Sequence, residues 1–170
     1  GDLTIEGARA EHLGAVIDKL SEAGASVDAL DGSLRVRASG PARAVDVTTL
    51  PFPGFPTDLQ AQMMALAAVS RGVSVLTEKV YPERFMHVGE LNRMGASITR
   101  EGSSAIVRGV ERLSGAPVSG SDLRASAALL LAGMAAENQT ELAGIEHLKR
   151  GYQNLEEQLV RLGAKIERIT

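Results

Sequence analysis

Apolar residues recur with helical spacing in five segments of the chain, and β-rich runs fill the gaps between them. The helical spacing predicts helices over 11–23, 57–70, 84–94, 121–136 and 151–162. The intervening runs predict strands over 25–30, 33–38, 43–49, 73–77, 96–100, 104–108, 116–119, 139–143 and 164–169. Helices that alternate with strands in this way indicate an α/β fold.

The predicted elements belong to a repeated unit. Residues 57–66 resemble residues 121–130, and three Gly-Ala signatures place Gly24, Gly95 and Gly163 at intervals of 71 and 68 residues. Each of these glycines follows a predicted helix, where a left-handed backbone is favourable for glycine. The unit reads strand-helix-strand-helix-strand-strand. It predicts two full units, if the terminal strand is shared, and a first unit without its opening strand and helix, all within one domain over 1–170.

Composition narrows the classes of function. A chain of 170 residues with 44% hydrophobic and 23% charged residues is typical of a folded globular domain. It contains no apolar run near the ~18 residues of a membrane span, no signal-peptide pattern and no cysteine. A net charge of −3 and 3% aromatic residues disfavour nucleic-acid binding. We therefore expect a cytoplasmic protein that binds neither nucleic acid nor membrane.

A proline-rich loop over 51–56 precedes the first strong catalytic candidate, Asp58. Thr57 and Gln60 fit a capping box, and the first turn of a helix favours an anion, so a purely structural interpretation accounts for Asp58. The loop itself is not explained by capping. Stiff turns also fix the direction of a side chain, so the second interpretation is that the loop aims Asp58 at a substrate.

Three arginines, Arg84, Arg124 and Arg150, lie at or near the starts of predicted helices in the last two units. A cation in the first turn of a helix is locally unfavourable. Equivalent positions of a repeat lie at the same end of the molecule, so the three guanidinium groups are predicted to converge on an anion site. In the alternative interpretation each arginine extends into solvent or pairs with a nearby acid, namely Glu83, Glu146 or Asp122.

Other candidate residues carry weaker signals. His12, His87 and His147 have no metal-ligand spacing. His12 is expected to be exposed, His87 to line the site or pack, and His147 to contact a ligand from a loop. Met63 and Met64 are expected in the core. Phosphate-binding loops, dinucleotide fingerprints and hydrolase elbows are missing from the sequence, so neither a metal nor a cofactor is predicted.

Four ordered motifs carry a resemblance that covers almost the whole chain: PGFPTDLQAQ, ERFMHVGELNRMGA, SDLRASAALLLAGM and HLKRGYQNLEEQLVRLGAKIERI. Together they resemble the UDP-N-acetylglucosamine 1-carboxyvinyltransferase (MurA) family of enolpyruvyl transferases. The resemblance implies repeated βαβαββ units that form an inside-out α/β barrel with helices toward the core. It also implies that the chain is the C-terminal-half domain of a two-domain enzyme, whose N-terminal residues supply the missing strand and helix.

The reaction implied by the resemblance moves an enolpyruvyl group from phosphoenolpyruvate to the 3′-hydroxyl of UDP-N-acetylglucosamine, by addition and elimination, in peptidoglycan biosynthesis. The family's proton acceptor corresponds to Asp58, and its phosphoenolpyruvate-binding arginines correspond to Arg124 and Arg150. Arg84 matches an arginine that lines the same cleft. The last two matches are a carboxylate that hydrogen-bonds within this cluster and a backbone contact to the sugar nucleotide: Asp122 and Val80.

The chain departs from the family pattern at two positions. Pro82-Glu83 stands where the family more often has Glu-Asn, which is expected to alter how Arg84 is paired, and Lys149 stands where the family has Asp. The family's mobile loop, with its cysteine or aspartate acid, and its N-terminal lysine have no counterpart here. The resemblance therefore implies a second, loop-bearing domain of the same enzyme, without which this chain does not turn over.

Three other functions stay open from the sequence. The sister enzyme, 3-phosphoshikimate 1-carboxyvinyltransferase, shares the repeat and the combination of a base with arginines. A non-catalytic module that binds an anion or a nucleotide sugar would also need the arginines. A folded domain that binds nothing by itself is the third possibility.

Overall fold

A computed structural model describes residues 1–169. The α-helices are α1 (Gly14–Glu22), α2 (Gln60–Ala68), α3 (His87–Arg93), α4 (Leu123–Ala135) and α5 (Leu155–Arg161). The strands are β1 (Asp2–Glu6), β2 (Ser26–Leu30), β3 (Ser33–Arg37), β4 (Val47–Thr48), β5 (Val73–Thr77), β6 (Ser97–Glu101), β7 (Ser104–Arg108), β8 (Leu113–Ser114), β9 (Pro117–Ser119), β10 (Ala136–Glu137) and β11 (Glu141–Ala143). Short 3₁₀ helices span Ala10–His12, Thr57–Leu59 and Ile145–Arg150. Within the described range no helix has both the length and the apolar character to cross a bilayer.

The two larger sheets share one arrangement. One has the order β1-β3-β2 and the other β4-β5-β7-β6. In each, a strand leads through a helix into a hairpin whose second strand returns to the middle of an antiparallel ladder. The registers also correspond, because Arg37 pairs with Asp2 and Ser26 while Arg108 pairs with Val73 and Ser97. The two sheets confirm the predicted repeat and the first unit that begins at its second strand.

The helix ends repeat as well. Gly24, Gly95 and Gly163 have φ of 106°, 88° and 96°, in the left-handed region that a helix end requires. After each glycine the next amide bonds back to a carbonyl five residues earlier, as Ala25 N does to Leu20 O at 3.0 Å. The Gly-Ala signatures are therefore helix stops, as predicted.

Helices rather than sheets occupy the centre of the domain. α2 buries seven of its nine residues, Met63 and Met64 among them, and packs against α4. A helix that is apolar on all sides must be covered on all sides. The sheet strands contribute Leu76 and Val107 to the same core. The central helices match the architecture that the resemblance implies, and the closed barrel stays a prediction.

Some predicted elements are wrong in extent or kind. Residues 2–6 form β1, a strand that the sequence prediction omitted because four of its five residues are exposed and give little apolar signal. Residues 164–169, predicted as a strand, have none of the ladder bonds of a strand. The equivalent strands β2 and β6 each pair with the next strand of a hairpin, and 164–169 have no such neighbour among the described residues.

Candidate active site

The loop before Asp58 is compact and anchored. Leu50 N donates to Phe55 O at 3.0 Å, and Gly54 N donates to Pro51 O at 2.8 Å. A Cβ on Gly54 would lie 2.5 Å from the Cβ of Leu50, so only glycine fits that turn. Phe55 is buried in the core while Asp58 lies just beyond. The loop thus fixes where the chain enters the helix, as its prolines predict.

Asp58 forms ion pairs with two of the predicted arginines. Its Oδ1 accepts a hydrogen bond from Arg124 Nε at 2.6 Å and lies 3.4 Å from Arg84 Nη1. The carboxylate side chain is 63% exposed, whereas the side chains of Arg84 and Arg124 are 16% and 24% exposed. Two units of the repeat therefore meet at one accessible carboxylate flanked by two guanidinium groups.

The capping-box interpretation of Thr57 and Gln60 is wrong. The Thr57 hydroxyl donates to Glu78 Oε2 at 2.8 Å and accepts from Arg84 Nη1 at 2.6 Å, so it caps no helix. The Gln60 side chain is buried and forms no hydrogen bond in the described structure. The chain enters α2 through the 3₁₀ turn Thr57–Leu59 instead. Thr57 bonds to a partner distant in sequence instead of capping its own helix, because a buried carboxylate requires hydrogen-bond donors.

Glu78 is that partner, and the sequence analysis missed it. It is fully buried directly after β5 and accepts hydrogen bonds from Thr49 Oγ1, Thr57 Oγ1 and the amides of Val80 and Tyr81. Burial acts to raise the pKa of Glu78, but these four hydrogen bonds together hold the pKa below its ordinary value. The one sequence signal was a lone carboxylate immediately after the strand predicted over 73–77.

Asp122 stabilises the start of α4. Its Oδ1 accepts from Arg124 N at 2.7 Å and from Ala125 N at 3.1 Å, which makes it the N-cap of the helix. Arg124 therefore sits in the first turn, as predicted, and its side chain extends to Asp58 rather than to Asp122. The unfavourable interaction of this cation with the helix dipole is offset by the Asp58 carboxylate.

Arg84 does not begin a helix, because α3 starts at His87. It lies in the turn before α3 with its guanidinium 5.1 Å from the Tyr81 ring centroid, in cation–π contact. Glu83 pairs with Arg100 at 2.8 Å, so the substitution at this position leaves Arg84 free to bind Asp58. Glu83 itself therefore does not pair with Arg84, and an altered pairing relative to the family stays a prediction.

Arg150 does not open a helix either. It ends the 3₁₀ helix Ile145–Arg150, and α5 begins only at Leu155. Its side chain is exposed and forms no ion pair with residues 1–169. It lines an open cleft between α4 and the C-terminal segment whose walls include neither Asp58 nor the other two arginines.

The segment that follows Arg150 contacts α2 and the start of α4. A Cβ on Gly151 would lie 3.0 Å from Leu123 Cδ1, at the first residue of α4. Tyr152 accepts a hydrogen bond from Gln62 Nε2 at 2.8 Å, which links the segment to α2. Arg150 is therefore placed beside the start of α4, although not at a helix N-terminus as the sequence predicted.

Val80 lies in the turn that Glu78 organises. Its amide donates to Glu78 Oε1 at 2.8 Å, so that N–H is already satisfied, and its side chain is 43% exposed. The neighbouring Tyr81 is also exposed.

The three histidines differ in exposure, and the prediction for His12 is confirmed. His12 is exposed, and His147 is half-buried within the 3₁₀ helix before Arg150. His87 is buried at the start of α3 with its Nε2 unpaired in the described structure. Burial lowers the pKa of His87 to about 4, and the carboxylate of Asp122 opposes that shift. Clusters of potential metal ligands are not found among residues 1–169.

Comparison with known proteins agrees with the resemblance. The sequence matches the EPSP synthase (3-phosphoshikimate 1-carboxyvinyltransferase) family over residues 1–159. A UDP-N-acetylglucosamine 1-carboxyvinyltransferase of Gluconacetobacter diazotrophicus is 57% identical over 99% of this chain and 40% of its own length. Its counterpart in Anaeromyxobacter is 56% identical over 98% of the chain and 40% of its own length. The chain thus spans about 40% of the length of these relatives.

Solved structures support the fold. The enolpyruvyl transferase NikO from Streptomyces tendae superposes with a TM-score of 0.88 at 31% identity, over 98% of this chain and 40% of that one. An EPSP synthase from Acinetobacter baumannii gives 0.73 at 18% identity, over 99% and 40% of the two chains, which bears on the fold alone. By sequence and by fold, this chain belongs to the EPSP synthase family of carboxyvinyl transferases.

Proposed function

We propose that this chain is one domain of a longer enzyme that transfers enolpyruvyl from phosphoenolpyruvate to the 3′-hydroxyl of UDP-N-acetylglucosamine in peptidoglycan biosynthesis. Support comes from relatives of that name at 50–57% identity, of which the chain spans about 40%. A second, loop-bearing domain of the same enzyme completes the site, and the enzyme works in the cytoplasm. The partners are then the two substrates and that second domain.

The geometry of Asp58 is the observation that carries this proposal. Its Oδ1 is held by Arg124 Nε at 2.6 Å, while its Oδ2 accepts no hydrogen bond from residues 1–169. An exposed carboxylate with one oxygen anchored and one free is suited to accept a proton from a hydroxyl that approaches from solvent. The proline-rich loop and Thr57 fix the backbone from which the Asp58 side chain extends.

The arginines supply the anion site. The guanidinium groups of Arg84 and Arg124 flank the Asp58 carboxylate, and the N-terminus of α4 adds its dipole. Arg124 engages only its Nε, so both terminal nitrogens keep N–H donors for a phosphate or carboxylate. Arg150, beside the first turn of α4, is a third proposed ligand, and the backbone of Val80 is the proposed contact to the sugar nucleotide.

In this site the reaction balances as an addition followed by an elimination. Asp58 accepts the hydroxyl proton as the sugar oxygen bonds to C2 of phosphoenolpyruvate, and an acid from the second domain protonates C3. The C2–phosphate bond then breaks, inorganic phosphate leaves, and loss of a proton from C3 restores the double bond. Asp122 contributes indirectly, because it caps the helix that positions Arg124.

Phosphate release by the full-length protein tests the proposal. With phosphoenolpyruvate and UDP-N-acetylglucosamine we expect one phosphate per enolpyruvyl product, and no turnover with shikimate 3-phosphate. Turnover only with shikimate 3-phosphate would assign the sister activity. Calorimetric binding of both ligands without phosphate release would instead identify a non-catalytic module, and the absence of binding would identify an inert domain.

A further inference from the structure

Glu78 connects to the site by two routes that end at the same guanidinium group. Through Oε2 it accepts from the Thr57 hydroxyl, which in turn accepts from Arg84 Nη1 at 2.6 Å. Through Oε1 it accepts a hydrogen bond from the Tyr81 amide at 2.9 Å, and the Tyr81 ring lies against Arg84. Arg84 is thus held on one side by a hydroxyl and on another by a ring, and Glu78 orients both.

Building on the proposed function, we propose that Glu78 is a positioning residue that holds Arg84 beside Asp58 for binding of phosphoenolpyruvate. It acts through Thr57 and Tyr81 and touches neither substrate.

The chemistry of the pocket selects a carboxylate rather than an amide. Four donors converge on two oxygens, and an ionised carboxylate is the side chain that accepts at both. A glutamine would turn one oxygen into an NH₂ donor. If that NH₂ faced Thr57, the Thr57 hydroxyl proton would lose its acceptor. If it faced the other side, the donors of Thr49, Val80 and Tyr81 would point at another donor instead of an acceptor. Either outcome displaces a group that holds Arg84.

The same pocket explains why a buried charge is retained there. A carboxylate buried without partners is strongly destabilising, whereas one with four donors is stabilised in its ionised form. A stabilising role alone could be filled by apolar side chains of similar volume, often at no loss of stability. The connection to Arg84 gives Glu78 a role that apolar packing cannot replace.

Kinetics of Glu78→Gln in the full-length protein tests the proposal, with Ser74→Ala as the matched control. Ser74 is also fully buried on β5 and accepts from Val45 N at 3.0 Å, but it has no link to Arg84. For Glu78→Gln we expect the KM for phosphoenolpyruvate to rise about tenfold or more, since a misplaced binding group costs up to ~10²-fold. The KM for the sugar nucleotide should change less than about twofold, and Ser74→Ala should leave both KM values unchanged.

Thr57→Val provides an independent variant if Glu78→Gln folds poorly. It removes the hydroxyl between Glu78 and Arg84 and should raise the same KM. If both residues act through one chain of contacts, the double variant should be no worse than the more severe single variant. An unchanged KM for phosphoenolpyruvate in Glu78→Gln, or effects that multiply in the double variant, would overturn the proposal.

A spectroscopic measurement separates failure of this proposal from failure of the proposed function. The Nε–Hε resonance of Arg84 in the full-length protein should shift in Glu78→Gln and stay in place in Ser74→Ala, whether or not the enzyme turns over these substrates. A wild-type protein that releases no phosphate would refute the proposed function alone. An Arg84 resonance that is identical in wild type and Glu78→Gln would refute the positioning role alone.

Discussion

The helix starts at Asp58 and Asp122 have nearly the same sequence, Thr-Asp-Leu and Ser-Asp-Leu, but the two aspartates make different contacts. Asp122 bonds back to the amides of Arg124 and Ala125 and caps its own helix. Asp58 caps nothing and extends outward to the side chains of two arginines. One repeat uses the aspartate for stability, and the other presents it to solvent.

The difference originates in the residue that follows the equivalent strand of each unit. β5 is followed by Glu78, which binds the Thr57 hydroxyl, whereas the equivalent β11 is followed by Gly144. Gly144 packs so closely on Gly120 O that a Cβ would lie 2.3 Å from it, which leaves no space for a carboxylate. A buried acid at one position therefore converts a capping motif into a support for the site.

Removal of the Asp58 carboxylate should have the largest effect. Asp58→Asn in the full-length protein is expected to lower kcat by about 10²–10⁴, the usual contribution of a general base. The rate of phosphate release under saturating substrates measures it. A kcat within threefold of wild type would show that the exposed aspartate is not the base.

Arg124→Lys should have the next largest effect, because lysine keeps the charge but loses the planar donors. Loss of a charge-assisted hydrogen bond of about 1.5–3 kcal/mol predicts a KM for phosphoenolpyruvate raised roughly ten- to hundredfold. Arg100→Lys is the control, since Arg100 pairs with Glu83 outside the cluster. Equal KM values for the two variants would argue against an anion site at Arg124.

The stabilities of the two aspartate variants test the comparison directly. Asp122→Ala should lower the free energy of unfolding of the domain by about 1 kcal/mol, the usual cost of losing an N-cap. Asp58→Ala should change it by less than about 0.5 kcal/mol, because exposed ion pairs contribute little. Urea unfolding of both variants gives these values, and equal losses would mean that Asp58 also caps its helix.

Stability should also depend on pH through the buried His87. The pKa of His87 is about 4 in the folded protein and near 6.5 unfolded, so the unfolded chain binds more protons between these values. The stability from neutral His87 is full above pH 6.5 and is lost as the pH falls toward 4, by about 1–2 kcal/mol between pH 7 and 5. His87→Leu should flatten this dependence in urea unfolding, and an unchanged slope would contradict the burial of His87.

Local patterns were enough to predict much of the fold. The helix ends at Gly24, Gly95 and Gly163 could be predicted because they depend on residues close to them in sequence. The order of the repeat could be predicted because similar segments recur along the chain. Asp58, Arg84 and Arg124 could be singled out because each departs from a local expectation or follows a stiff loop. Their meeting at one carboxylate joins positions up to 66 residues apart and follows from the repeat.

The parts that sequence reasoning missed depend on tertiary contacts. Glu78 gives no periodic signal, and its role exists only where Thr57 and Arg84 arrive beside it. The helix predicted at 151–162 begins four residues late, so Arg150 lies in a 3₁₀ turn instead of a helix start. Such boundaries depend on packing against α4, which the local sequence does not encode.

The central claim is that Asp58, Arg84 and Arg124 form the substrate site, and one NMR experiment tests it most directly. The arginine Nε–Hε resonances of the full-length protein would be followed during titration with phosphoenolpyruvate in the presence of UDP-N-acetylglucosamine. We predict saturable shifts at Arg84 and Arg124 in wild type, with Arg100 unmoved. Saturation that leaves both Arg84 and Arg124 unshifted would contradict the claim and place the substrate elsewhere.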